Sequence, residues 1–204
     1  MNFVVWNLLD FINRYGEDHV NSFIATFSTR IGTGENSKHL NPEIDKFLLK
    51  NAIQFSKERK SITYLVGDKD DGSLLGYFTL THKAIDIPAL GLSNSMIRKI
   101  EKHSRLNPAT NTYAISAFLI AQFGKNYAVD QGARISGDEL MALCVKELSE
   151  IRYRIGGNVE YLDCEADARL IRFYQERHNF TLFGERISEN DGKRYLQYMK
   201  FLKS

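Results

Sequence analysis

The stretch 113–180 decides the fold, and it begins with Tyr113-Ala-Ile-Ser-Ala-Phe-Leu-Ile-Ala-Gln-Phe-Gly124. This nearly unbroken apolar run predicts a buried strand. A polar loop with small residues follows, and apolar periodicity over 138–151 then predicts a helix. A short strand over 159–164 and a helix that carries Phe173-Tyr174 complete the order strand, loop, helix, strand, helix.

Size and composition are those of an ordinary globular protein. The chain has 204 residues, and its 27 basic against 25 acidic residues do not indicate a polyanionic partner. Cys144 and Cys164 fall in regular apolar patterns and are predicted to be reduced core thiols. The N-terminus does not read as a signal peptide, and the apolar run ending at Ala121 is shorter than the about 20 residues of a membrane span. We therefore expect a cytoplasmic protein with no membrane partner.

Helices are predicted at the start of the chain. Residues 5–27 should form two helices broken near Gly16, within an N-terminal helical extension over 1–40. Asn41-Pro42-Glu43 begins the next helix, because Asn is a good N-cap and Pro suits the first helical position. That helix should end near Lys57.

Strands surround a basic insert. The runs 61–67 and 74–81 predict an antiparallel hairpin with Asp71-Gly72 at its tip. A helical insert is expected over 84–112, and its short helix carries the most basic local patch of the chain. This patch is a candidate wall of a substrate groove, with a solvated helix face as the alternative: Arg98, Lys99 and Lys102. Two further strands are predicted at the C-terminus, over 179–184 and 195–202, the second as an inner strand because both of its faces are apolar.

The loop before the central helix has the chemistry of a phosphate site. A strand that ends at a Gly-containing loop and continues into a helix directs backbone N–H groups at one spot, which favours a diphosphate. The loop reads Gln131-Gly-Ala-Arg-Ile-Ser-Gly137, and Arg134 would add charge-assisted bonds. Asp138 and Glu139 favour the alternative, since acids at a helix start satisfy its dipole without a ligand.

These elements resemble the acetyl-coenzyme A core of the GNAT acyltransferase superfamily. Arg134-Ile-Ser-Gly137 is similar to the first half of its loop signature, although Glu139 stands where a second small residue is expected. Ala168, Phe173-Tyr174 and Phe180 resemble the pattern of its second helix. The resemblance implies an α+β fold in three layers, with a mixed, mostly antiparallel sheet and helices on both faces. It also implies one domain over 1–204, with the acetyl-CoA core at 113–180.

The resemblance further implies the chemistry. In that superfamily an amine attacks acetyl-CoA directly without a metal, and a tyrosine at the position of Tyr174 commonly acts as general acid. Glu165 is the candidate base, with Asp163 or bulk water as alternatives. Cofactor contacts are implied for the strand end, the loop, the helix start and one residue before the second helix: Phe123, Gly124, Lys125, Arg134, Ile135, Ser136, Gly137, Asp138 and Asp167.

Three functions stay open for the acceptor. The first is acetylation of an amine of a small molecule or protein. The second follows from a resemblance to the subgroup that includes tRNA-acetylating toxins, and it implies tRNA and an antitoxin as partners. It predicts a basic groove formed by Arg98, Lys99, Lys102 and Lys125. The third is a coenzyme A-binding module without catalysis, and the protein is expected to be a monomer or a homodimer.

Overall fold

A computed structural model describes residues 2–32, 37–128, 134–188 and 192–202. Its helices are α1 (Leu8–Tyr15), α2 (Glu17–Ile24), α3 (Pro42–Lys50), α4 (Ala52–Lys57), α5 (Asn94–Ile100), α6 (Gly137–Ile155) and α7 (Ala168–Ile171), which continues into a π-helical turn (Arg172–Arg177). Its strands are β1 (Phe3–Asn7), β2 (Arg30–Ile31), β3 (Lys38–His39), β4 (Ile62–Asp68), β5 (Leu74–Pro88), β6 (Leu106–Asn107), β7 (Thr112–Lys125), β8 (Val159–Glu165), β9 (Thr181–Ile187) and β10 (Arg194–Phe201). None of these helices is both long and apolar enough to cross a membrane.

One large sheet dominates the described residues. Its path is β1-β4-β5-β7-β8-β10-β9, with β6 paired to β7, while β2 and β3 pair separately. The resolved registers are antiparallel except that of β7 and β8, which is parallel. The prediction of a mixed, mostly antiparallel sheet is therefore confirmed, as is the inner position of β10.

The chain forms two compact units. The first contains the chain up to Thr81 together with Ile120–Tyr153, and the second contains His82–Leu119 and the chain from Arg154 onward. Strands β5 and β7 each contribute residues to both. The single domain predicted from the sequence stays a prediction.

The start of the chain differs from the sequence prediction. Residues 5–7 are not helical, because the aromatic and β-branched run ending at Trp6 forms β1 and pairs antiparallel with β4. The Trp6 ring fits only because position 67 is glycine: a Cβ on Gly67 would lie 2.2 Å from the ring. Asn7 then caps α1, and its side chain accepts the Leu9 N–H at 2.9 Å. The predicted break at Gly16 is confirmed, with φ at 82° between α1 and α2.

A buried asparagine secures the end of β7 in the first unit. Asn126 is 1% exposed, and its side-chain amide donates to the carbonyls of Thr26 at 3.0 Å and Leu74 at 2.8 Å. Its Oδ1 accepts the N–H groups of Ser28 at 2.9 Å and Ala128 at 3.0 Å. One side chain thus joins the segment after α2, the start of β5 and the end of β7.

The second unit is built on β8, β10 and β9. The predicted insert over 84–112 begins later than expected, because β5 continues as a strand to Pro88. The helix expected there is present as α5, and Ser93 caps it by accepting the Met96 N–H at 3.2 Å. Buried side chains of α5 pack with those of β5, β7, β8 and β10: Met96, Ile100, Ile87, Ile115, Tyr161 and Met199.

We predict that Asn126→Asp destabilises the protein by about 2–4 kcal/mol, because a carboxylate cannot donate and would face two carbonyl oxygens. Urea denaturation at pH 7 measures the loss. Asn21→Asp, an exposed change of the same kind on α2, should cost less than about 0.5 kcal/mol. Equal losses in the two variants would contradict the role of Asn126.

Candidate functional site

The start of α6, where a diphosphate was predicted, is closed by a capping box. The Ser136 N–H donates to Glu139 Oε2 at 2.8 Å, and the Glu139 N–H donates to Ser136 Oγ at 3.1 Å. These bonds to Ser136 lower the pKa of Glu139. Glu139, which departs from the loop signature, thus accepts one of the free N–H groups at the start of α6. Ile135, the residue before Ser136, is buried.

Arg134 is fixed by the turn between β4 and β5. Its Nη1 donates to Asp71 Oδ2 at 2.7 Å and to Ser73 Oγ at 2.9 Å, and its Nη2 donates to Asp68 Oδ2 at 2.5 Å. The predicted phosphate ligand therefore already holds two carboxylates. The rest of the predicted loop, 131–133, lies outside the described residues.

Close packing surrounds the end of β7. A Cβ on Gly124 would lie 2.5 Å from Ile44 Cγ2, and a Cβ on Gly76 would lie 2.9 Å from the carbonyl oxygen of Gly124. Gly76 therefore allows β5 to approach the backbone of β7 closely, and Gly124 leaves room for the Ile44 side chain of α3. Phe123 and Lys125 flank Gly124 and are half-buried. The cofactor contacts predicted for these three residues stay predictions.

Strand β8 pairs very differently along its two edges. Among the described residues it forms seven pairs with β10 but two pairs with β7, Phe118↔Glu160 and Leu119↔Tyr161. The strand continues past Tyr161 to Glu165. In the described residues, the edge of β8 that faces β7 is thus paired near the start of the strand and not toward its end.

The acidic residues near the end of β8 are held by basic partners. Glu165 Oε1 accepts from Lys193 Nζ at 2.7 Å, and Asp163 Oδ2 accepts from Arg186 Nε at 2.6 Å. The other oxygen of Asp163 accepts the Tyr161 hydroxyl at 2.5 Å. Burial and this carboxylate raise the pKa of Tyr161, so its phenol stays protonated.

Tyr174 lies in the π-helical turn that continues α7. Its ring is 7% exposed and lies 5.0 Å from Phe173, 5.9 Å from Phe180 and 6.3 Å from Tyr198, measured between centroids. Single π-helical turns occur frequently at functional sites. After the turn Asn179 adopts φ of 58°, the left-handed conformation for which Asn is the best substitute for the family's glycine.

Asp167 is the N-cap of α7. Its Oδ1 accepts the Arg169 N–H at 2.8 Å and the Leu170 N–H at 3.4 Å, and Arg169 lowers its pKa. A cofactor contact at Asp167 stays a prediction beside this capping role.

The basic helix and Tyr174 lie on opposite faces of the second unit. Tyr198 and Met199 are neighbours on β10, so their side chains point to opposite faces. Tyr198 contacts Tyr174, whereas Met199 packs in the core with α5. The three predicted groove residues are exposed: Arg98 and Lys99 on α5, and Lys102 in the turn that follows it.

No group of three His, Cys, Asp or Glu side chains that could hold a metal ion is found in the described ranges. Cys144 and Cys164 are buried free thiols, as predicted, and burial raises the pKa of Cys164 to about 12.

Sequence reasoning did not find Asn126, the partners of Arg134 or the Tyr161–Asp163–Arg186 cluster. Each depends on residues far apart in the chain, such as the 66 positions between Arg134 and Asp68. For Asn126 the sequence shows only a polar residue directly after an apolar strand, and this pattern does not indicate which groups the side chain binds.

Comparisons with known proteins show the fold. No family model matches the sequence, and no curated protein matches it. The structure is similar to AtaT complexed with acetyl-methionyl-tRNAfMet, with 14% identity, a TM-score of 0.59 and 95% of this chain and 94% of that chain covered. It is also similar to a bacterial toxin (17%, TM-score 0.60, 98% and 89% covered) and to a tyrosine-to-phenylalanine mutant of KacT (14%, TM-score 0.61, 97% and 95% covered).

These likenesses extend over nearly the whole length of each chain. The fold is therefore the GNAT fold of these structures, which confirms the fold class expected from the sequence. The matched region takes in most of the N-terminal helices, because the alignments cover 95% of the chain or more.

We predict that Glu139→Gln makes the protein less stable at pH 7 but not at pH 3. The lowered pKa of Glu139 means that its carboxylate stabilises the folded state above the unfolded pKa of about 4.3, and this gain is lost as pH falls through the folded pKa. Thermal midpoints of both proteins between pH 7 and pH 3 measure the gap. Glu150→Gln, an exposed change late in α6, is the control. A gap that widens toward low pH would contradict the capping box.

Proposed function

We propose that this chain transfers the acetyl group of acetyl-CoA to a primary amine. The observation that carries the proposal is the β7-facing edge of β8, which pairs with β7 at two positions in the described part of the chain. The pantetheine arm of coenzyme A carries amide groups, so it can pair with the edge from Leu162 to Glu165 as an added strand would. AtaT, whose fold this chain shares, has been solved with acetyl-CoA.

We propose Tyr174 as the general acid. The amine nitrogen attacks the acetyl carbonyl carbon, the carbon–sulfur bond breaks, and the Tyr174 phenol gives its proton to the departing thiolate. An ordinary phenol titrates near 10 and is protonated at neutral pH, so it can serve as this donor. Its enclosure by Phe173 and Phe180 supports the role, because packing holds the ring in one orientation.

The acceptor is proposed to approach from the face that carries α5. Tyr161 packs in the core with α5, and Asp163 and Glu165 share its side of β8 by strand alternation. Glu165 is proposed to take the proton that the amine loses. Its Oε1 already accepts a hydrogen bond from Lys193 Nζ. An α-amino group has a pKa of about 8, so part of it is neutral at pH 7 and loses its proton only after it attacks.

In the first unit we propose backbone roles for the remaining predicted residues. The amides around Phe123, Gly124 and Lys125 are candidates for stabilising the oxyanion. The helix start formed by Ser136, Gly137 and Asp138 is the candidate diphosphate site, with Glu139 as the competing internal acceptor. No residue in this scheme holds a metal, and a cytoplasmic location stays a prediction.

We predict that Tyr174→Phe lowers kcat by about 10²–10⁴-fold while the Kd for acetyl-CoA stays within about twofold, because only the acid is removed. Acetyl transfer to an amine and calorimetry measure the two effects. Tyr198→Phe is the matched control, since the buried Tyr198 hydroxyl has no hydrogen-bond partner among the described residues. Unchanged turnover in Tyr174→Phe would reject Tyr174 as the acid.

A second candidate is specific for the acceptor: the amino group of an aminoacyl-tRNA. Two observations favour it over a small-molecule or protein amine. AtaT has been solved with acetyl-methionyl-tRNAfMet and with its antitoxin AtaR, and here α5 and the turn after it expose three cations. A partner antitoxin belongs to this proposal, and the protein would act as a monomer or homodimer.

We predict that replacing Arg98, Lys99 and Lys102 by Gln weakens tRNA binding and reduces the slope of log K against log salt by about 2–3. Filter binding between 50 and 200 mM salt measures the slope. The control replaces three exposed lysines of α3 and α4: Lys46, Lys50 and Lys57. Equal slopes for the two triple variants would exclude α5 as a tRNA surface, and growth arrest on expression should follow the same order.

A further inference from the structure

The charges around Arg134 do not suit a phosphate ligand. Asp68 and Asp71 together carry more charge than the guanidinium between them, so the cluster is net negative. Such a cluster does not attract the phosphates of a nucleotide. The Asp68 side chain is 3% exposed, so freeing the guanidinium would leave a buried carboxylate without its cationic partner.

The same contacts bear directly on the entry to α6. Arg134 precedes Ile135, which is 1% exposed, and Ile135 precedes Ser136 of the capping box. Consecutive residues are therefore fixed by an ion-pair clamp, by core packing and by a reciprocal cap. Ser73 supports the clamp from the β4–β5 turn, because hydrogen bonds from Ser73 and then from Arg134 lower the pKa of Asp71 to about 2.

We propose that Arg134 is a positioning residue, not a phosphate ligand: clamped by Asp68, Asp71 and Ser73, it holds the start of α6 in the conformation that receives acetyl-CoA. The inference rests on the proposed cofactor and deepens it. Holding a binding segment in its bound conformation raises affinity because less ordering is left to occur on binding.

The two roles of Arg134 predict opposite effects of removing a carboxylate from the clamp. If Arg134 positions α6, Asp71→Asn loosens the clamp and weakens acetyl-CoA binding. If Arg134 binds phosphate, the same change releases the guanidinium and tightens binding. Asp70→Asn supplies the matched control, because Asp70 is exposed on the same turn. Its backbone N–H donates to Asp68 Oδ1 at 2.8 Å, and the substitution leaves this backbone bond in place.

Calorimetry with acetyl-CoA on the full chain compares Asp71→Asn with Asp70→Asn, so that the shared loss of one negative charge cancels. The expected result is a Kd about three- to tenfold higher for Asp71→Asn. Arg134→Lys should also weaken binding, since an ammonium cannot replace the planar fork that joins two carboxylates. An equal or lower Kd for Asp71→Asn than for Asp70→Asn overturns the positioning role.

Amide hydrogen exchange without cofactor gives a readout independent of binding. The amides of 137–140 should exchange faster in Asp71→Asn than in Asp70→Asn, and equal rates would contradict the clamp. Wild-type protein that binds no acetyl-CoA would instead defeat the proposed function itself. The two failures are distinguishable, because the first occurs in protein that still binds the cofactor.

Discussion

The position at which β7 ends depends on one buried amide, that of Asn126. All four hydrogen bonds that its side chain makes go to main-chain groups, and they reach the segment after α2, the start of β5 and the residue two places further on. A buried amide left unpaired is costly, so the chain cannot slide by one residue without losing this set. Gly76 and Gly124 add a steric limit at the same place, because either Cβ would collide.

Several charged side chains in each unit are fixed in ion pairs with side chains of opposite charge. Arg134 is bound by Asp68 and Asp71 in the first unit, and Arg186 and Lys193 bind Asp163 and Glu165 in the second. The carboxylates near the end of β8 therefore already accept hydrogen bonds from cationic side chains. In the proposed reaction the acceptor amine is partly neutral before it attacks, and the acid that protonates the thiolate is the more demanding partner.

The sequence predicted most of the architecture because the apolar periods of its strands and helices are strong. The strand at 113–124 and the helix at 138–151 follow from local patterns that tertiary structure did not override. It failed at residues 5–7, where a short β-rich run leads directly into α1 and only pairing with β4 decides the conformation. The site was less predictable, since Arg134 has its partners on a distant turn and family patterns carry no information about them.

Acetyl-CoA binding is tested most directly by titration calorimetry of the purified 204-residue chain. We expect saturable binding with one acetyl-CoA per chain and at least about 100-fold weaker binding of ATP, which lacks the pantetheine arm. Binding of the two nucleotides with equal affinity, or no binding of acetyl-CoA, would contradict this expectation.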